Sequence, residues 1–126
     1  MFASLPLHER LLKAVATLGL EQPTPVQAAA IPLALAGKDL RVIAQTGSGK
    51  TAAFLLPILH ALLQDRKPLT ATRALILLPT RELAQQIQEE CLSFSKGCGI
   101  KSALLIGGAS MFLQKRDLKL NPRIIV

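Results

Sequence analysis

The sequence is poor in aromatic residues and in cysteine. Its 126 residues include no Trp and no Tyr, and only four Phe, although half of the residues are hydrophobic. This hydrophobic content is typical of one globular domain with a buried core and excludes a disordered chain. The two cysteines, Cys91 and Cys98, fit no metal-ligand spacing. We interpret them as free thiols in a reducing compartment, with a disulfide as the alternative.

The sequence also lacks a hydrophobic run long enough to cross a membrane. The longest run, residues 52–63, contains Pro57 and His60 and is shorter than the roughly 20 residues that a span requires. The first ten residues, MFASLPLHER, lack the basic start and apolar stretch of a signal peptide. We therefore expect an intracellular protein with no membrane partner, in the cytoplasm or, in a eukaryote, in the nucleus.

Acidic residues are scarce relative to basic ones. Fifteen Lys and Arg accompany eight Asp and Glu, which gives a formal net charge of +7. The excess is concentrated in residues 64–126, where ten basic residues accompany five acidic ones. This distribution favours an anionic partner, although a solvated basic surface that binds nothing would have the same composition.

Helical and extended patterns alternate along the chain. Hydrophobic spacing and the positions of Gly, Pro and capping residues predict helices at residues 7–18, 25–36, 50–63, 82–95 and 110–118. Short apolar runs predict strands at residues 40–44, 74–79, 102–108 (with its turn) and 123–126, and residues 64–72 are predicted to form a surface loop. Strands separated by helices predict an α/β fold, a parallel sheet with helices on both faces.

The stretch AQTGSGKT, residues 44–51, lies between a predicted strand and a predicted helix. Gly47 and Gly49 allow backbone N–H groups to converge on a phosphate, and the following helix directs its positive end at the same point. Lys50 can reach further along a phosphate chain, and Thr51 offers a hydroxyl to Mg²⁺. The general phosphate-loop pattern begins with Gly where this chain has Ala44. A plain strand-to-helix turn is the alternative interpretation.

Three further motifs accompany this loop. PTPVQ (residues 23–27) precedes it, PTRELA (residues 79–84) follows it, and Gly107–Gly108 is followed by Gln114 after a five-residue gap. Together they resemble the DEAD-box RNA helicases, in which the ATP-binding loop commonly begins with Ala. The resemblance covers essentially the whole chain; Leu20 departs from it, because the family usually has an aromatic residue there. It implies a RecA-like P-loop domain and ATP-dependent unwinding of RNA.

The resemblance implies an adenine site in which Gln27 reads the base and Phe2, 25 residues earlier, stacks on it. Two structural alternatives stand beside this interpretation: Gln27 also fits a capping box with Thr24, and Phe2 could simply cover the first helix. The implied ligands of ATP or ADP are Phe2, Gln22, Gln27, Ala44, Gln45, Thr46, Gly47, Ser48, Gly49, Lys50 and Thr51. Among these, Lys50 and Thr51 are implied to be catalytic, and Thr51 to bind Mg²⁺.

The resemblance also implies a site for the RNA backbone. Thr80 would make a helix N-cap in any protein, and Gly107–Gly108 could be a plain turn. A helix N-terminus after a strand is also a phosphate site, to which Arg81 adds a bidentate donor. The implied RNA-binding residues are Pro79, Thr80, Arg81, Gly107, Gly108 and Gln114. Contacts of this kind are independent of base sequence.

The acidic partner that a phosphate loop requires is missing from the sequence. None of the eight acidic residues ends an apolar strand in the way needed to hold Mg²⁺ and orient the attacking water. We therefore expect residues 1–126 to be the first part of a RecA-like domain, with an adenine-recognition segment at 1–37 and the phosphate loop and following units at 38–126. The rest of that domain and the second RecA-like domain would be absent. Nucleotide binding without hydrolysis, and weak RNA binding, are expected of this chain alone.

Overall fold

The computed structural model describes residues 1–65 and 71–126. The predicted loop at residues 64–72 therefore lies partly outside the described residues. The helices, in chain order, are a short 3-10 helix at Phe2–Ser4, then α1 (Glu9–Thr17), α2 (Pro25–Leu35), α3 (Lys50–Gln64), α4 (Arg81–Ser95) and α5 (Met111–Leu118). The strands are β1 (Ala74–Leu75), β2 (Ser102–Ala103) and β3 (Ile124–Ile125).

The described strands form one parallel sheet in the order β1, β3, β2. Ile124 of β3 is in register with Ala74 on one side and with Ser102 on the other. Parallel neighbours need a crossover connection, which α4 and α5 supply between consecutive strands. The predicted α/β class with a parallel sheet is therefore confirmed.

The helices begin close to where the sequence places them because local side chains cap them. Thr24 accepts a hydrogen bond from the N–H of Gln27 at the start of α2, and Thr80 accepts one from Leu83 at the start of α4. Ser110 does the same at the start of α5. A side-chain acceptor at the N-cap satisfies a backbone donor that the helix itself leaves unpaired. The unpredicted 3-10 helix at the N-terminus lacks such a cap.

The predicted strand at residues 40–44 is wrong. In the described part of the chain, this segment belongs to no strand and joins no sheet. Its apolar side chains are exposed, and Ile43 reaches an exposed fraction of 84%. An apolar run becomes a strand only when a neighbouring strand takes up its backbone hydrogen bonds, which composition alone does not supply. β1 and β2 are also shorter than their predicted ranges.

The hydrophobic core surrounds α3. Leu55, Leu56 and Leu59 of this helix are completely buried, and α1, α2 and α4 all pack against it. Burying a leucine side chain contributes about 1.5–3 kcal/mol, so these contacts fix α3 firmly in the domain. The start of α3 is Lys50, and the core therefore also fixes the end of the glycine-rich loop.

No helix within residues 1–65 and 71–126 combines the length and the hydrophobicity that crossing a bilayer demands.

Candidate nucleotide and nucleic-acid sites

Two residues of the glycine-rich loop have backbone conformations that favour glycine. Gly47 and Gly49 have φ angles of 81° and 84°, in the left-handed region that favours glycine. Gly49 is also the N-cap of α3, and it provides no side-chain acceptor for the first turn. The N–H groups of that turn are consequently available to an anion, and the helix dipole favours negative charge there.

Two polar side chains of the loop are candidate contacts for a ligand. Lys50 donates a hydrogen bond from Nζ to the carbonyl oxygen of Ala44, which folds its ammonium group back over the loop. Ser48 has a buried hydroxyl oxygen with no hydrogen-bond partner among the described residues. A buried hydroxyl without a partner is costly, and a phosphate oxygen would satisfy it. The loop therefore fits the phosphates of a nucleotide, and the half-buried Thr51 beside them fits Mg²⁺.

Gln27 connects the PTPVQ segment to this loop. Its side chain is 5% exposed; Nε2 donates to the carbonyl oxygen of Gly49 at 3.1 Å, and Oε1 accepts from the N–H of Thr24 at 2.9 Å. The capping box expected from the sequence is thus present. A carboxamide has two N–H donors and two acceptor lone pairs. The bond to Gly49 therefore leaves one N–H donor free, and the bond from Thr24 leaves one lone pair free. Capping and base recognition by Gln27 are therefore compatible.

The predicted base-stacking residue is buried in the structure. The Phe2 side chain is 3% exposed and belongs to the hydrophobic core, while the Phe2 N–H bonds to the carbonyl oxygen of Glu21. Gln22, the next residue, is exposed. Stacking of Phe2 on adenine remains a prediction, and the ring must turn out of the core to perform it.

His60 holds the start of α1, a role that its place in the sequence does not reveal. Its Nδ1 atom accepts a hydrogen bond from the backbone N–H of His8 at 2.9 Å, which ties the start of α1 to α3. Burial, with a further contribution from the nearby positive charge of His8, lowers the pKa of His60 below its ordinary value of 6.5. The neutral form that accepts this bond is therefore favoured.

The predicted RNA-binding residues come together at the carboxyl end of the sheet. Residues 79–81 and Ile106–Gly107 line a groove of about 370 Å³ there. The Arg81 guanidinium lies on the Gly107–Gly108 turn: a Cβ atom on Gly108 would stand 2.7 Å from Nη1 of Arg81. Ligands of open parallel sheets bind beyond this end of the strands. Two motifs 26 residues apart in sequence thus form one surface.

Gln114 holds the glycine turn in place. Its Nε2 atom donates to the carbonyl oxygens of Ile106 and Ala109, at 3.1 and 3.3 Å, and its Oε1 atom accepts from the Ile106 N–H at 2.9 Å. All of these hydrogen bonds join the Gln114 side-chain amide to the protein backbone. Direct contact of Gln114 with RNA remains a prediction, and the structure gives the residue a positioning role for the turn.

A larger groove, of about 720 Å³, extends from Lys50 and Thr51 between α3 and α4. Its walls are mostly hydrophobic and include Leu40 and Val42 of the unpaired segment, together with Leu78. A hydrophobic wall does not bind phosphate. The hydrophobic part of this groove is therefore unsuited to the phosphates of a nucleotide.

The domain is a RecA-like α/β domain, with a phosphate loop at the start of α3. A family model described as DEAD/DEAH box helicase matches residues 24–126. The chain belongs to the DEAD/DEAH box helicase family.

Relatives and solved structures agree with this assignment. The chain is 51% identical over 125 residues to the probable ATP-dependent RNA helicase ddx27 of Dictyostelium discoideum, and 49% identical over 125 residues to the ATP-dependent rRNA helicase RRP3 of Candida glabrata. These alignments cover 99% of this chain but only 16% and 25% of those two proteins.

Among solved structures, the RNA helicase Prp28 from Chaetomium thermophilum bound to ADP aligns with a TM-score of 0.87 and 46% identity, over 95% of this chain and 30% of that one. A DEAD box protein from Methanococcus jannaschii aligns with a TM-score of 0.89 and 37% identity, over 99% of this chain and 33% of that one. The chain thus spans about a third or less of the proteins it matches.

Proposed function

We propose that residues 1–126 form the adenine-nucleotide-binding first part of the first RecA-like domain of an ATP-dependent RNA helicase. The hydrogen bond between Gln27 and Gly49 carries this proposal. It joins the residue that would recognise adenine to the loop that would hold the phosphates, so base and phosphates are recognised by one connected unit. The relative Prp28, solved with ADP, supports this ligand class.

On this proposal, each residue of the site has a defined task. Loop N–H groups and Lys50 bind the phosphates, the Ser48 hydroxyl donates to a phosphate oxygen, and Thr51 holds Mg²⁺. Bound ATP and Mg²⁺ supply the phosphoryl group and the charge that polarises it. Gln27 selects adenine through its free donor and acceptor positions. Gln22, at the exposed approach to PTPVQ, and Phe2 complete the base site.

RNA is the proposed second ligand. The Arg81 guanidinium presents a fork of N–H donors next to a glycine turn that backbone atoms of a strand can approach closely. Arg81, Thr80 and the Gly107–Gly108 turn would contact phosphate and sugar rather than base edges, so binding is independent of sequence. In the whole protein, a second RecA-like domain would close over ATP and RNA. An RNA substrate is consistent with an intracellular location, in the cytoplasm or the nucleus.

A non-catalytic adenine-nucleotide-binding module with weak RNA binding is the second candidate. It is favoured by the sequence, in which none of the eight acidic residues ends an apolar strand in the way needed to orient the attacking water. Phosphoryl transfer requires a group that positions the attacking water, and Lys50 and Thr51 do not supply one.

Phosphate release at saturating ATP and RNA separates the two candidates. The measurement compares this chain, its Lys50→Ala variant and the whole protein. The helicase proposal predicts RNA-stimulated release by the whole protein and release by this chain no faster than by the variant. A whole protein without RNA-stimulated turnover would favour the module. Turnover by the chain above its control would reveal a catalytic acid, and Glu82, in the first turn of α4, would be examined first.

A further inference from the structure

α5 presents a continuous aromatic and cationic stripe to solvent. The helix has no buried residue, and its side chains recur on one face at spacings of three, four and seven residues. We define the α5 stripe as Phe112, Lys115 and Arg116 of the helix together with Lys119, its C-cap residue. All four are exposed, and the exposed fraction of Phe112 is 77%.

The α5 stripe points away from the side of the helix that is fixed to the protein. Gln114, which bonds to Ile106 and Ala109, lies on the opposite face, because it is two residues from both Phe112 and Arg116. The helix begins at Met111, three residues after Gly108. The same amide that shapes the glycine turn therefore fixes the position of the stripe relative to Arg81.

We propose that the α5 stripe is a second contact surface for single-stranded RNA, continuing the path of a strand that leaves the Arg81 and Gly107–Gly108 groove. This inference rests on the proposed RNA-binding role of that groove. Lys115, Arg116 and Lys119 would bind backbone phosphates, and the Phe112 ring would stack on one base. Stacking on an aromatic ring is independent of base identity, which agrees with sequence-independent binding at the groove.

Charge complementarity favours RNA over a protein as the occupant. A helix that docks on another protein presents apolar side chains at these spacings, but three of the four positions here carry a positive charge. Asp117 lies off the stripe, and its contact with Arg116, at 3.3 Å between exposed groups, is a weak ion pair that a phosphate can replace. The bases of a duplex are stacked on each other and do not expose their faces to Phe112, so the proposed ligand is single-stranded RNA.

The test measures binding of fluorescent uridine oligomers of about 6 and about 12 nucleotides, lengths within the range that single-strand-binding modules cover. On this proposal, the shorter oligomer occupies the groove alone, and only the longer one extends to the stripe. Phe112→Ala should weaken binding of the longer oligomer at least about fivefold, the low end of the loss reported for a stacked base, and leave the shorter one unchanged. Leu92→Ala is the matched control, because Leu92 is 51% exposed but lies on a different helix, α4.

The salt dependence of RNA affinity tests the contribution of the basic side chains in the stripe. Lys115→Ser should lower the slope of log affinity against log salt by about 0.7 for the longer oligomer, as expected for one lost phosphate contact with a single strand. Lys13→Ser removes an equal charge from α1, which packs on α3 and α4, and should leave the slope unchanged. Equal behaviour of each variant and its control would overturn the α5 proposal, and it is also the result expected if the stripe binds a protein.

A different result is expected if the proposed RNA-binding role of the Arg81 groove is itself wrong. Arg81→Ala should weaken binding of both oligomers if the groove binds RNA. If Arg81→Ala changes neither affinity, the proposed function is wrong as well. If it weakens both while Phe112→Ala and Lys115→Ser match their controls, only the α5 proposal is wrong. All of these substitutions are at exposed positions, so thermal unfolding of the variants should match that of the parent chain.

Discussion

The side-chain amide of Gln27 donates a hydrogen bond to the carbonyl oxygen of Gly49, with 3.1 Å between Nε2 and O. The two residues are 22 positions apart, and the bond joins the first turn of α2 to the N-cap of α3. A ligand that binds Gln27 would therefore act on the phosphate loop through a single bond. Base recognition and phosphate binding are expected to be coupled.

Substitution of Gln27 should reduce both adenine affinity and adenine selectivity. We expect the chain to bind ADP better than GDP in calorimetry, and Gln27→Ala to weaken ADP binding by about 1–2 kcal/mol, the scale of lost buried hydrogen bonds. Gln27→Glu keeps the shape but loses the donor to Gly49, so it should also weaken binding. Gln86→Ala, on the exposed face of α4, is the control. Equal affinity for ADP and GDP in the parent chain would contradict base recognition.

Two alanine substitutions in the glycine-rich loop should have unequal effects. Gly47 and Gly49 both have positive φ, so either substitution costs about 1–2 kcal/mol for the left-handed backbone. Only Gly49→Ala also makes its Cβ collide with Nε2 of Gln27; nothing lies within 4 Å of a Cβ at Gly47. Denaturant unfolding should show Gly49→Ala to be the less stable variant. Equal losses would mean that Gln27 is not held against the loop.

The glycine turn offers a similar comparison for RNA. Gly108→Ala places a Cβ 2.7 Å from Nη1 of Arg81 at a φ of 81°, so the guanidinium must move. The nearest atom to a Cβ on Gly107 is 3.7 Å away, and this residue has no positive φ. Anisotropy with a short uridine oligomer should show a several-fold weaker affinity for Gly108→Ala than for Gly107→Ala, as expected for a loss of about 1 kcal/mol. A clear preference for one base in the parent chain would argue against backbone recognition.

Stability should fall as the pH decreases below 6.5, because His60 has a lowered pKa in the folded state. The unfolded chain then binds a proton more readily than the folded chain, so the contribution of His60 is full above 6.5 and is lost as the pH falls through the folded pKa. Protonated Nδ1 cannot accept the bond from the His8 N–H. His60→Asn keeps an acceptor that does not titrate, so its free energy of unfolding should depend less on pH. An identical pH dependence in both proteins would contradict this role.

The sequence by itself determined the elements whose signals are local. Thr24, Thr80 and Ser110 cap helices within three residues of themselves, and the glycines of the phosphate loop are required by its own backbone. Such signals need no tertiary partner, which is why the sequence predicts helices α1 to α5 close to their observed positions. The parallel arrangement also followed, because helices alternate with strands.

Only the tertiary structure decided which distant groups meet. Packing of α2 on α3 brings Gln27 to Gly49, the sheet brings Arg81 to Gly108, and the packing of α3 places His60 beside the His8 N–H. The exposed segment at residues 40–44 is the converse case, since its apolar composition predicted a strand that pairs with none of the described strands. Hydrogen bonding between distant segments depends on how they pack in space, and a local pattern of residues does not contain that information.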